Sequence, residues 1–189
     1  VLTKNSKFQN INRRFYKTVE ILHKRLSKND LAYVDIRITE DYDEFIKKFG
    51  NNVKSKIHHI TATSHIIDLA LFFFGKLTIK NLKIIKSKTN NCKSYFINCL
   101  TKKKININIS ILNQNPTRSG ITCYFNDQTT WDLSPLEILK VYKNYNIRFD
   151  YKKKINVYEP KLIRKYEEKN KNYKPGFFNQ IDLITKKKV

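Results

Sequence analysis

Apolar and polar residues alternate along the middle of the chain, most regularly in Lys104–Leu112. There every second residue is isoleucine, and the positions between the isoleucines are Asn106, Asn108 and Ser110. This period of two predicts a β-strand with one apolar face and one polar face. Neighbouring segments show the same period and predict further strands: Leu77–Ile85, Lys93–Leu100, Gly120–Asn126 and Thr129–Leu133.

Segments with the spacing of helices lie on both sides of this strand region. Val19, Leu22 and Leu26 recur at helical intervals in one of them, and Gly75 follows the most apolar one as a typical helix terminator. The helices predicted in this way are Tyr16–Leu26, Ile60–Phe74 and Phe177–Thr185, with a short polar helix or loop at Tyr42–Phe49. Further strands are predicted at Lys7–Asn12, Leu31–Thr39 and Ile155–Tyr158, and a hairpin turn at 126–128.

These elements predict an α+β fold built on an open, predominantly antiparallel sheet of at least five strands, with helices on one face. Helices crowd the first part of the chain, and strands occupy the middle. One face of the sheet is then left without helices. An exposed sheet face of this size usually meets a partner.

The charge of the chain raises the possibility of a nucleic-acid-binding module. Lysine and arginine number 38 against 16 acidic residues, which gives a formal net charge of +22. Lysine far outnumbers arginine, however, and asparagine, isoleucine, tyrosine and phenylalanine are also abundant, as in proteins from AT-rich genomes. Arginine is the better residue for bidentate phosphate and guanine contacts. The composition therefore favours coding bias, with no specific nucleic-acid recognition.

Cysteines, histidines and apolar runs exclude several other classes. Cys92, Cys99 and Cys123 lack the spacing of a disulfide framework or a structural zinc site, which points to a reducing cytoplasm. No metal site is predicted from the histidines, because no carboxylate completes a ligand set. The longest apolar run, Ile66–Gly75, is interrupted by Asp68 and is too short to span a membrane.

Four stretches, in order along the chain, resemble the C-terminal half of the Gfo/Idh/MocA family of oxidoreductases. They are Asn12-Arg13-Arg14-Phe15, then Ser64-His65-Ile66-Ile67-Asp68-Leu69 with Phe74-Gly75, then Leu133-Ser134-Pro135-Leu136-Glu137, and finally Tyr173-Lys174-Pro175-Gly176-Phe177-Phe178-Asn179-Gln180.

The resemblance implies an N-terminal Rossmann domain that binds NAD or NADP and that this chain lacks. The chain has only four glycines and no GxGxxG motif. Residues 1–8 would then be a remnant of the nucleotide-binding domain, 9–186 the C-terminal substrate and oligomerisation domain, and 187–189 a basic tail. Valine rather than methionine at position 1 agrees with a truncated or processed chain. The fragment alone is expected to be inactive, to pair with a Rossmann domain, and to form homo-oligomers through the sheet.

The resemblance also implies a site on the Ile60–Phe74 helix, where the family's histidine faces the nicotinamide. Thr61, His65 and Asp68 share one helix face, being spaced i, i+4 and i+7. His65 would take a hydroxyl proton while hydride leaves the same carbon of a sugar. Arg13 and Arg14 would bind a sugar hydroxyl, a carboxylate or the cofactor phosphate, or would form a salt bridge at the domain junction.

One position departs from the family pattern. Many members have an aspartate where this chain has Thr61, and threonine cannot act as a carboxylate partner. The leading interpretation is the C-terminal half of a sugar oxidoreductase. The alternatives are a non-catalytic dimerisation domain and a basic nucleic-acid-binding module. For His65 the alternative is a buried histidine that is satisfied by a neighbour such as Asp68.

Overall fold

The computed structural model describes residues 12–41, 62–86, 93–168 and 175–186. Within these ranges, no helix is long and apolar enough to cross a membrane. The described residues form a 3₁₀ helix (Asn12–Phe15), three α-helices and eight strands. In chain order these are α1 (Lys17–Leu26), β1 (Leu31–Glu40), α2 (Ala62–Phe74), β2 (Thr78–Lys86), β3 (Lys93–Leu100), β4 (Asn106–Asn113), β5 (Gly120–Phe125), β6 (Thr129–Leu133), β7 (Ile138–Asp150), β8 (Ile155–Glu167) and α3 (Phe177–Lys186).

All eight strands join one open sheet in the order β2-β3-β4-β1-β5-β6-β7-β8. Every neighbouring pair is antiparallel except β1 and β4, which run parallel from the pair Tyr33–Asn106 to the pair Glu40–Asn113. The predicted α+β fold, with its mostly antiparallel open sheet, is confirmed.

The core lies between one face of this sheet and helices α1 and α2. On β1, every second side chain is buried completely or almost completely, and the same is true of β4 and β5. The helices contribute their own apolar side to this layer, and burial of this area is the main favourable term in folding. Its best-buried members are Val19, Leu22, Val34, Ile36, Ile38, Ile66, Leu69, Ile107 and Ile121.

Most of the predicted elements are confirmed with small changes at their ends, but the last strands were read incorrectly. No strand was predicted for β7, whose alternation is interrupted by a register shift around Asn144, where φ is 60°. β8 does not end near Pro160 but continues to Glu167. Among the described strands it lies at the edge of the sheet, a position where proline is tolerated because the outer side needs no hydrogen-bond donor.

At the start of the chain, a strand was predicted for Lys7–Asn12, and this prediction is wrong for Asn12. Asn12 belongs to the 3₁₀ helix. The rest of that strand and the element predicted at Tyr42–Phe49 lie outside the described residues.

A buried arginine ties α1 to the turn between β5 and β6, which lies at the predicted position. The side chain of Arg25 is only 7% exposed. Its Nη2 donates to Asp30 Oδ2 at 2.7 Å and to Asp127 Oδ2 at 3.0 Å, and its guanidinium carbon lies 3.8 Å from the centre of the Phe125 ring. The hydrogen bond from Arg25 lowers the pKa of Asp30 below its ordinary value. Arg25 thus serves two carboxylates and an aromatic face at once.

We expect Arg25→Ala to lower the free energy of unfolding by about 2–3 kcal/mol, because it removes both the ion pairs and the packing of the aliphatic stem. Urea denaturation measures this loss. Lys24→Ala is the matched control, since Lys24 makes an exposed ion pair with Glu20 on the same helix. That pair should contribute less than about 0.5 kcal/mol. Equal losses in the two variants would contradict the structural role of Arg25.

Candidate functional site

Helix α2 is fixed to the sheet by the end of β1. Ile66, Leu69 and Ala70 on α2 are completely buried. At the start of the helix, a single carboxylate oxygen of Glu40 accepts hydrogen bonds from the Thr63 backbone nitrogen and hydroxyl, both at 2.7 Å. A carboxylate at this position satisfies a free N–H group and interacts favourably with the helix dipole. The last residue of β1 therefore holds the first turn of α2 against the sheet.

The polar edge of α2 faces the 3₁₀ helix that carries the two predicted arginines. Arg14 binds Asp68 through two parallel hydrogen bonds, with Nε to Oδ2 at 2.7 Å and Nη2 to Oδ1. The same guanidinium carbon lies 5.2 Å from the centre of the Phe72 ring. Arg14 therefore forms a salt bridge, the alternative that the sequence had left open for it. The salt bridge connects the 3₁₀ helix to α2.

His65 is half-buried beside this ion pair. Burial lowers its pKa below the usual 6.5, and the positive charge of Arg13 lowers it further, while Asp68 partly opposes both effects. The imidazole is therefore mostly neutral at neutral pH and has a lone pair that can accept a proton.

The two arginines play different parts in this arrangement. Within the described ranges, no carboxylate forms an ion pair with Arg13, whereas Arg14 is engaged by Asp68. The structure thus brings Arg13, Arg14, His65 and Asp68 together. Thr61 lies outside the described residues.

The described part of the chain contains neither a cluster of metal ligands nor an activated thiol. No cluster of histidine, cysteine, aspartate and glutamate there could hold a metal ion. Cys99 and Cys123 are buried as free thiols, and burial raises the pKa of both. Neither thiol is therefore an activated nucleophile. His58, His59 and Cys92 lie outside the described residues.

The sheet face opposite the helices carries a row of linked polar side chains that the alternation did not reveal as a network. Asn98 Nδ2 donates to Asn108 Oδ1 at 2.7 Å, and Asn108 in turn donates to the Tyr33 hydroxyl. That hydroxyl donates to Asp35 Oδ1 at 2.8 Å. Burial, together with Asp35, raises the pKa of Tyr33 to about 12. This row crosses β3, β4 and β1 and gives the open face a polar centre.

Beyond this polar centre, the outer halves of β7 and β8 form a two-stranded ribbon with an apolar face. Tyr145, Ile147 and Tyr158 are each more than 60% exposed on it, and Phe149 is 47% exposed. Ile147 lies opposite Tyr158, and Tyr145 lies opposite Pro160. Tyr145 and Pro160 border the same trough as Tyr124 and Tyr142, so the apolar ribbon continues the open face of the sheet.

The chain is similar to known proteins in its three-dimensional structure, whereas the sequence comparisons found no match. No protein-family model matches the sequence, and no curated protein sequence does. A solved dehydrogenase from Chromobacterium violaceum has a TM-score of 0.59 at 8% identity, over 93% of this chain and 52% of that one.

Two further solved structures have the same fold. UDP-N-acetylglucosamine 3-dehydrogenase from Acidithiobacillus ferrooxidans has a TM-score of 0.51 at 9% identity, over 82% of this chain and 46% of that one. An NAD-binding oxidoreductase from Klebsiella pneumoniae also has a TM-score of 0.51, at 10% identity, over 79% of this chain and 45% of that one.

The chain spans about half the length of these solved structures. Its fold is that of the C-terminal half of Gfo/Idh/MocA-type dehydrogenases, and the resemblance drawn from the four motifs is confirmed at the level of fold. At these identities, the comparison establishes the architecture alone.

The electrostatics around His65 can be measured in the chain as it stands. Arg13→Gln should raise the pKa of His65 toward 6.5, because it removes a nearby positive charge, and Asp68→Asn should lower it, because it removes the opposing negative charge. Proton NMR titration of the imidazole ring measures both shifts. Arg37→Gln is the control and should leave the titration unchanged, because Arg37 lies on β1 and its Nε donates to the backbone carbonyl of Arg118, just before β5. A shift of the same sign in both test variants would contradict the assigned geometry.

Proposed function

We propose that this chain is the C-terminal half of an NAD(P)-dependent oxidoreductase that acts on a sugar or sugar derivative by hydride transfer. The observation that carries the proposal is the half-buried His65, which stands beside the cation of Arg13 and the Arg14–Asp68 pair on α2. The fold is one that dehydrogenases use. One solved structure with this fold is a UDP-N-acetylglucosamine 3-dehydrogenase, and this supports a sugar substrate.

The chemistry asked of the site is the oxidation of a secondary alcohol to a ketone. The carbon loses a hydride and the hydroxyl loses a proton. A bound nicotinamide, when present, supplies the hydride acceptor. His65 takes the proton, because burial keeps its imidazole neutral and ready to accept one. The resulting imidazolium is stabilised by Asp68, whose orientation is set by the two hydrogen bonds from Arg14.

Arg13, Arg14 and Thr61 complete the proposed site. Arg13 binds a substrate hydroxyl or carboxylate, or a cofactor phosphate, since no described carboxylate neutralises it. Arg14 acts through Asp68. Thr61 offers a hydroxyl where many family members have a carboxylate, so it can hydrogen-bond to substrate but cannot share the proton.

The cofactor itself fits this chain only in part. Arg13 could face one of its phosphates, but the sequence contains no glycine-rich phosphate loop. We therefore propose that NAD or NADP is bound mainly by an N-terminal Rossmann domain and that residues 9–186, without it, are inactive. Residues 1–8 would belong to that domain, and 187–189 would be a basic tail. A reducing cytoplasm suits Cys99 and Cys123, which are buried as free thiols.

In the enzyme joined to its nucleotide-binding half, His65→Ala should lower kcat by ~10²–10⁴-fold, the usual worth of a positioned acid–base group. Folding should stay nearly intact, which thermal denaturation checks in parallel. Leu71→Ala is the control, because it shortens an exposed side chain on the same helix. The proposal fails if His65→Ala lowers stability while turnover per folded molecule stays unchanged, as a histidine with a purely structural role would.

The exposed ribbon favours a second role, namely self-association through the open face. A two-stranded ribbon is marginally stable in water on its own, and a contiguous apolar patch of this kind usually marks an interaction site. The ribbon's apolar face runs into the open face, so a second copy that is laid across the sheet would cover both. This role holds whether or not the chain is catalytic.

Ile147→Glu should weaken self-association by at least about tenfold, because it places a charge at the centre of the covered patch. Sedimentation equilibrium measures the change. Ile155→Glu is the matched control: Ile155 is also half-exposed on the ribbon, but it lies on the opposite face, in register with Asp150. A chain that stays monomeric at high concentration, or equal effects of the two variants, would exclude this interface.

A further inference from the structure

The two ends of the 3₁₀ helix are held by two asparagine amides that connect it to the C-terminal region. Asn12 Nδ2, on its first residue, donates to the carbonyl of Pro175 at 3.0 Å. At the other end, Asn179 Nδ2 on α3 donates to the carbonyl of Phe15 at 3.2 Å. Arg13 and Arg14 lie between these two attachment points. A single 3₁₀ turn has weak internal hydrogen bonding, so external contacts of this kind decide where it lies.

Gly176 allows the chain before α3 to approach this turn closely. Its φ of +77° lies in the left-handed region that favours glycine. A Cβ atom at this position would lie 2.1 Å from the carbonyl oxygen of Asn12 and 3.0 Å from the Tyr16 ring. Any side chain would therefore force the C-terminal segment and the 3₁₀ helix apart.

The residues after the 3₁₀ helix are held by the C-terminal part of the chain as well. The carboxylate of Glu168, just after β8, accepts a hydrogen bond from the Thr18 backbone nitrogen at 2.8 Å. The Thr18 hydroxyl donates to the carbonyl of Leu136 at 2.7 Å. The first turn of α1 is anchored in this way, and the hydrogen bonds of Asn12 and Phe15 connect the 3₁₀ helix to the C-terminal segment.

We propose that Asn179 and Gly176 are positioning residues. Through them, α3 holds the 3₁₀ helix so that Arg13 lies beside His65 and Arg14 lies against Asp68. We call these contacts of Asn179 and Gly176 with the 3₁₀ helix the clasp. The clasp rests on the proposed function only for its effect on turnover, because the side chains that it orders are all present in this chain. It also explains why a short C-terminal helix with exposed Phe178 and Ile181 stays attached to the body: its polar contacts lie at its start.

The test in this chain is the NMR titration of His65 in Asn179→Ala. Release of the turn moves Arg13 away, so the pKa of His65 should shift upward toward 6.5, in the same direction as in Arg13→Gln. The Arg14 Nε proton should exchange with water faster once its pairing with Asp68 loosens.

Gly176→Ala should reproduce both effects, because a Cβ atom at this position would push the C-terminal segment and the 3₁₀ helix apart. Thr185→Ala is the matched control, because its hydroxyl donates to the carbonyls of Ile181 and Asp182 within α3, at 3.1 and 3.0 Å.

In the enzyme joined to its nucleotide-binding half, Asn179→Ala should lower kcat by about 10- to 10²-fold, the usual cost of misplacing a catalytic group. If the His65 titration and the Arg14 exchange rate stay unchanged in Asn179→Ala and Gly176→Ala, the clasp is refuted, whatever the activity. If both readouts shift but His65→Ala leaves turnover unaffected, the clasp stands and the proposed function falls.

Discussion

Strand β1 has to bury one of its faces completely, and the rest of the structure follows from that requirement. Val34, Ile36 and Ile38 are each at most 1% exposed, with α2 lying across them. Because side chains alternate, Tyr33 and Asp35 are placed on the opposite face, where the Tyr33 hydroxyl donates to Asp35 on the same strand and accepts from Asn108 on β4. The same strand ends in Glu40, whose carboxylate accepts two hydrogen bonds from Thr63 in the first turn of α2. One strand thus sets the core, the polar row and the position of the site helix.

In the proposed site, the carboxylate of Asp68 is already paired with one of the two arginines. Asp68 receives both hydrogen bonds of Arg14, so its negative charge is largely balanced before any substrate arrives. His65 is left between a balanced pair and the cation of Arg13. A half-buried imidazole in such surroundings is mostly neutral at neutral pH and can accept a proton from a group held against it. The site therefore combines a neutral base with a cation that is available to an anionic or hydroxylated ligand.

The sequence predicted those parts of the fold in which local pattern and tertiary environment agree. Isoleucines at every second position of β4 and the glycine after α2 were sufficient signals. β7 was missed because a bulge at Asn144 breaks its period and because its outer half is exposed on both faces, so no alternation marks it. Contacts between distant residues have no local signal at all: Arg14 meets Asp68 across 54 residues, and Phe15 meets Asn179 across 164.

The position of β1 between two meanders has a consequence for the order of folding. Strands β2, β3 and β4 pair with their sequence neighbours, and so do β5, β6, β7 and β8. Each group can form through short loops at a small entropic cost. β1 joins the two groups, with a parallel partner on one side and an antiparallel partner on the other, and both partners lie far along the chain. We therefore expect its insertion to be the slow step. Until it occurs, β4 and β5 each present an unpaired edge to other chains, and nascent molecules are most vulnerable to mispairing during that interval.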